Sequence, residues 1–201
     1  MKNNLVFSNI KDTFIPNSRN LIFCENLIEE FKINKFKHSK IKHHWDVKEK
    51  IKKDYVYSLN FFNNSIKILS NFLNQYHKMN QSIEYWQIII GPYLSKIIPV
   101  VWDRWESVRY ALENEKIDQV VKLENTNPTS IANDFNEFVN NYISNHEFNY
   151  FIYFEAFKVL SKKNKIDIEI ISKKFDNLPI DIKNNDNKNN FFYYIYEKIF
   201  K

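Results

Sequence analysis

Glycine is almost missing from this chain: Gly91 is the single one in 201 residues. Walker A phosphate loops, G-x-G-x-x-G dinucleotide turns and G-x-S-x-G nucleophile elbows each need two or more glycines. None of them can be built here, so any nucleotide must be held by another route. Cysteine is equally scarce. The single Cys24 excludes an internal disulfide framework and fits a reducing, cytoplasmic setting. It sits in an apolar run, where a thiol is inert. Long hydrophobic runs are lacking too. The longest, Ile88–Trp102, is interrupted by Gly91-Pro92, Ser95-Lys96 and Pro99, and it falls short of the roughly 20 residues that a membrane-spanning helix needs. The opening "MKNNLVFSNIKDTFIP" has no uninterrupted apolar core of the signal-peptide kind.

What is present is apolar and aromatic. Hydrophobic residues make up 44% and aromatic ones 17%, enough for a packed core in one domain of this length. The formal charge of +5 and pI near 9.0 permit an anionic partner: a phosphate-bearing ligand, nucleic acid or a membrane surface. Basic residues are spread out apart from Lys35–Lys53 and nearly matched by acidic ones. Nucleic acid is therefore not expected as a partner, while peripheral membrane contact stays open.

The runs "NLVFS" (4–8) and "NLIFC" (20–24) read as buried strands, joined by a loop or short helical turn. Helical spacing follows over Glu25–Phe31. In 46–77, Tyr55, Leu59, Phe62, Ile66, Leu69 and Leu73 recur at three- and four-residue steps and give one apolar stripe. Asp46 with Glu49 offers a capping box for that helix, and Ser82 a simple cap for the next. Pro92 and Pro99 are expected to split the next helix into Ser82–Gly91, Tyr93–Ile98 and Pro99–Asn114. Gly91 leaves room there for a neighbouring backbone or ring. "IDQVVKL" (117–123) and "KIDIEIIS" (165–172) read as strands, with helices over about 129–144 and 146–163 between them. Strands alternating with helices predict an α/β domain. Residues 181–190 form a polar, low-complexity linker, and the aromatic ending at 191–201 is expected to pack as a helix on the domain or at an interface.

Two polar clusters stand out. His43, His44 and Asp46, at a helix start after a basic stretch, are placed to reach a phosphate or an acceptor hydroxyl. The spacing of His38, His43 and His44 matches no familiar tetrahedral site, so no metal is expected. In "WDRW" (102–105), Arg104 can bind an anion beside a tryptophan face. The bland alternative is an Asp103–Arg104 pair that holds the fold, and spacing alone favours it. No nucleophile–base arrangement is defined, so the catalytic residues stay open, and no cofactor is expected.

Taken in order, "HHWDVKEKIKKDY", "YWQIIIGPYLSKIIPVVWDRWESV" and "NDFNEFVNNYISNHEFNYFIYFEAF" resemble the N-terminal half of the LIC12162-type putative transferases. The likeness covers roughly residues 4–160, and its most specific part is the Tyr-Trp, Gly-Pro and Asp-Arg-Trp block. It implies a Rossmann-like, helix-rich N-terminal domain of a glycosyltransferase-B-style transferase, over residues 1–180, with 181–201 as linker and C-terminal helix. The resemblance further implies transfer of a sugar or glycerophosphate in bacterial surface polysaccharide and O-antigen biosynthesis. The activated donor would be held by a C-terminal half that this chain is expected to lack, and the acceptor would be a saccharide. Within the matched blocks it points to His43, His44, Asp46 and Arg104 as substrate-binding residues. A non-catalytic α/β interaction module needing a partner chain is the competing reading.

Overall fold

The computed structural model describes residues 1–23, 36–124, 132, 134–143 and 145–175. The expected helix at Glu25–Phe31, the linker at 181–190 and the aromatic ending at 191–201 lie outside them, as does most of the start of the helix expected over 129–144. Five strands form one sheet: β1 (Asn3–Val6), β2 (Arg19–Ile22), β3 (His38–Lys40), β4 (Gln119–Glu124) and β5 (Glu169–Lys174). Every pairing is parallel, and the order across the sheet is β3-β2-β1-β4-β5. The chain thus runs outward from β1 to one edge, then returns to build the other side, and the order reverses between β1 and β4.

Alternation along the inner strands sorts side chains onto two faces. Leu5, Phe7, Leu21 and Phe23 join the larger core, whereas Val6 and Ile22 face the other way against Phe14 and Phe36. Parallel sheets are normally covered on both faces. Here the link between β1 and β2 covers one face with a single 3-10 turn, Lys11–Thr13. Two fully buried asparagines make so short a crossover tolerable. Asn4 donates to the Thr13 carbonyl at 2.9 Å and to Asn20 Oδ1 at 2.8 Å. Asn20 donates to the Ile15, Ser18 and Lys37 carbonyls. Loop carbonyls that a helix would have paired internally are satisfied by these amides.

The other face carries the helices: α1 (Lys48–His77), α2 (Ile83–Asn114), a short α3 (Phe135–Glu137) running into a π-helical turn at Phe138–Ile143, and α4 (His146–Asn164). Phe7, at the end of β1, packs among Tyr150, Tyr153, Phe154 and Phe157 of α4. A second core joins α1 and α2 to α4 through Ile66, Leu69, Leu94, Ile97, Phe138 and Ile152. With almost no glycine in the chain, α1 and α4 end on lysines in the left-handed region, Lys78 at φ 54° and Lys165 at φ 52°.

Two expectations change, and one strand is added that the sequence did not reveal. First, α2 is one continuous helix through Gly91, Pro92 and Pro99. Packing on both α1 and α4 outweighs the local cost of the prolines, and Ser95 Oγ donates to the carbonyl of Pro92 at 2.7 Å. Second, β3 has no apolar signature: "HSK" is an exposed edge strand, recognised only through its pairing with β2. Third, Asp46 and Glu49 form no capping box for α1, whose cap is Val47 with no side-chain bond. Ser82 does cap α2, accepting from Tyr85 N–H at 3.2 Å.

Candidate functional site

The segment after β3 places both histidines. Ile41 N–H donates to the Ile22 carbonyl at 2.8 Å, which fixes the exit from the sheet. The chain then enters a 3-10 turn, His44–Asp46, whose cap is His43. His43 Nδ1 accepts from Trp45 N–H at 3.1 Å, and Asp46 Oδ2 accepts from His43 N–H at 3.1 Å. A backbone N–H can only donate, so in the neutral ring the proton of His43 sits on Nε2. That Nε2 lies 3.1 Å from Asp103 Oδ1 on α2. His44 Nε2 reaches the same oxygen at 2.9 Å. The other carboxylate oxygen of Asp103 accepts from Arg104 Nη1.

Asp103 is 6% exposed. Burial by itself would raise its carboxyl, but the hydrogen bonds from His43 and His44, with the charge of Arg104, outweigh that. The group is held well below the usual carboxylate range. Arg104 is positioned on two further sides. Its Nε donates to Asn149 Oδ1 at 3.0 Å, and its guanidinium lies over the Tyr153 ring at 5.3 Å. Among the described residues Nη2 has no hydrogen-bond partner.

A second set of charges continues from the first. Asp54 on α1 accepts from Trp45 Nε1 at 2.8 Å and from Lys50 at 2.9 and 3.0 Å. Lys50 bridges to Glu106, which Arg109 grips through two bonds at 2.9 and 2.7 Å. Asp54 and Glu106 are both buried; their desolvation is outweighed by Lys50 and Trp45 for Asp54, and by Arg109 and Lys50 for Glu106. Both carboxyls are lowered. His44 Nδ1 faces Asp54 Oδ2 at 3.7 Å, beyond hydrogen-bond reach.

Of the residues expected from sequence, His43, His44 and Arg104 converge on Asp103, and Asp46 braces the turn that carries the histidines. His44 is 2% exposed and turned inward onto Asp103. Lys50, Asp54, Glu106 and Arg109 were not singled out, although Lys50–Asp54 and Glu106–Arg109 stand at four- and three-residue helical spacing. The ligand atoms of His43, His44 and Asp103 lie within 4.8 Å of one another, but their geometry is that of hydrogen bonding. Metal ligation through His43 Nε2 requires a proton on Nδ1, where Trp45 N–H already points. The two rings stack at 27° and 4.5 Å, so their lone pairs run side by side. Arg104 adds a positive charge next to the carboxylate.

The cluster sits at the carboxyl edge of the sheet. Tyr153, beneath Arg104, stacks on Phe23 at 4.9 Å and on Phe7 at 6.2 Å, the residues that follow β2 and β1. At the order reversal itself the sheet splits: β1 and β4 pair only through Asn4–Gln119 and Leu5–Val120. Tyr150 OH fills the split, accepting from Leu123 N–H at 2.8 Å and donating to the Val121 carbonyl at 3.0 Å. Burial pushes its phenol up to about 12. The place where open α/β sheets usually hold a ligand is therefore plugged by Tyr150, and the open polar groups lie beside it, over β2 and β3.

No curated protein and no solved structure shows significant similarity to the chain. A family model does, over residues 3–201, and its description is LIC12162 family transferase. The chain that carries this buried histidine–aspartate–arginine cluster at the edge of its parallel sheet belongs to the LIC12162 family of transferases.

Proposed function

We propose that this chain is a Rossmann-like, glycosyltransferase-B-style unit that acts in the cytoplasm. It takes part in moving a sugar or glycerophosphate onto a saccharide acceptor in bacterial surface polysaccharide or O-antigen assembly. The strand order, with its reversal between β1 and β4, supports the Rossmann-like part. The observation that carries the site is Nη2 of Arg104, which has no hydrogen-bond partner among the described residues, at the carboxyl edge of the sheet. Its other nitrogens are fixed by Asp103 and Asn149, so the guanidinium is pre-aimed and an anion meets no reorganisation cost. The half-buried His43 and exposed Asp46 line the approach. His43 has both nitrogens engaged, so its role is to position Asp103 and to present a ring face, while Arg104 binds the phosphate or other anionic group of the substrate.

The test is a transfer assay with nucleotide-activated sugars and activated glycerol phosphate as donors and surface saccharides as acceptors, run beside thermal shifts with inorganic phosphate. A phosphate-dependent rise in the melting temperature of the chain, lost in Arg104→Lys, is expected, as is product formation, also lost in the variant, once a donor-binding half is supplied by a partner chain. Product formation unaffected by Arg104→Lys moves the site elsewhere, and the absence of product with every donor in the presence of a donor-binding half refutes the reading as sugar or glycerophosphate transfer.

A further inference from the structure

The helical hairpin α1–α2 carries a surface that the cluster does not use. Among the described residues, all exposed large apolar side chains except Met1 and Ile170 lie between Val47 and Ile89. The helices have 30 and 32 residues, so the hairpin is about 45 Å long. Beyond Leu69 on α1 and before Gly91 on α2, the only buried apolar side chain among the described residues is Trp86. It is held by its Nε1 donating to Asn74 at 2.9 Å and by stacking on His77. The far end is thus a two-helix projection with apolar stripes facing outward. Ile68, Phe72 and Tyr76 recur every four residues on α1, and Tyr85, Ile88, Ile89 and Pro92 share a face of α2. Ile88 is 75% exposed. Such a concentration of exposed apolar surface marks an interaction site.

The charge pattern identifies the occupant. From Tyr55 to Trp102 the acidic and basic side chains are Lys67, His77, Lys78, Lys96 and a single Glu84. Lys96 continues the exposed α2 stripe one turn beyond Pro92, and Lys67 and Lys78 are exposed on α1 and at its C-terminal end. A symmetric pairing of two copies through this face would set lysines against lysines with one glutamate each to offset them. An anionic bilayer surface accommodates all of them, and aromatic and isoleucine side chains between lysines are the composition of an interfacial helix. Among the described residues no helix is long and apolar enough to cross a membrane, so contact is along the surface. We infer that the tip of the α1–α2 hairpin, from Ile68 to Lys96, docks this protein on anionic lipid bilayers, with Phe72, Tyr76, Tyr85, Ile88 and Ile89 entering the headgroup layer.

Sedimentation of the purified chain with vesicles tests this. One set is pure phosphatidylcholine, and the other is equal parts phosphatidylcholine and phosphatidylglycerol. Binding to the mixed vesicles, weakened by salt, is expected, with far less to the neutral ones. Ile88→Asp lowers the affinity about tenfold or more, from the lost burial of one large aliphatic side chain. Changing each of Lys67, Lys78 and Lys96 to Gln lowers it about fivefold per lysine. Because Ile88 is exposed, Ile88→Asp leaves the helical melting curve in place, which separates lost docking from lost folding. Failure to sediment with mixed vesicles overturns the proposal. So does light scattering that finds a dimer which Ile88→Asp splits, since the face then belongs to a second copy. Neither result bears on the Arg104 site, which is read by transfer and phosphate shifts.

Discussion

Through one oxygen the Asp103 carboxylate accepts from two imidazoles, and through the other it accepts from a guanidinium, so three cation-capable groups from two parts of the chain share one anion. Removing any one leaves a buried charge with less to hold it. His44 is the most enclosed of the three, and its side chain also abuts Trp45 at 4.9 Å. His44→Ala is therefore expected to destabilise the protein by about 2 kcal/mol, from the lost hydrogen bond and the cavity left behind. His43→Ala, at a half-buried position, is expected to cost about 1 kcal/mol. Urea denaturation of the two variants beside wild type measures both. An unchanged midpoint for His44→Ala would mean that the imidazole adds nothing to the fold and would return it to the set of ligand-facing residues. The sequence could point to His43, His44, Asp46 and Arg104 as chemically capable, but not to their meeting point. His44 and Asp103 are 59 residues apart, and neither periodicity nor motif spacing carries contacts of that range.

At the scale of elements, legibility follows how much each one depends on its neighbours. β1, β2 and β4 are apolar runs because both faces of a parallel sheet are covered, and α4 reads correctly because its own aromatic residues fill the core. β3 could not be read, since a three-residue edge strand of His, Ser and Lys has no buried pattern to show. The prolines of α2 misled for the opposite reason: their local penalty is real but small against packing on two helices. Gly91 is a similar case. A Cβ there would meet the Phe62 ring and Gln87 Cγ at 3.6 Å each, which is ordinary contact. Nothing in the backbone requires glycine, and Gly91→Ala is expected to stabilise the helix by up to about 1 kcal/mol. Gly91→Leu, by contrast, must displace the Phe62 ring and is expected to cost about 1–3 kcal/mol. Thermal melts of both variants decide the matter. A destabilising alanine would show that the close approach is tighter than these distances allow.

For the molecule as a whole, the same network sets a pH dependence. Asp103, Asp54 and Glu106 are buried carboxyls held below their ordinary values of 3.8, 3.8 and 4.5, because their cationic and hydrogen-bonding partners outweigh desolvation. A carboxyl lowered on folding contributes stability that is fully present above its unfolded value and is lost as pH falls toward its folded one. Glu147 has the opposite sign, since burial raises it. Its folded form favours the proton, so it gives back a little stability as pH drops. Three lowered groups tied into one network outweigh one group raised by burial alone. The melting midpoint is therefore expected to stay nearly level from neutral pH down to about pH 5, then to fall steeply below about pH 4.5. Asp103→Asn, which removes the most strongly lowered of the three, is expected to start from a lower midpoint at neutral pH and to descend less steeply in acid. Parallel acid limbs for wild type and Asp103→Asn, read by circular dichroism across the same buffers, would show that this carboxylate is not where the acid sensitivity resides.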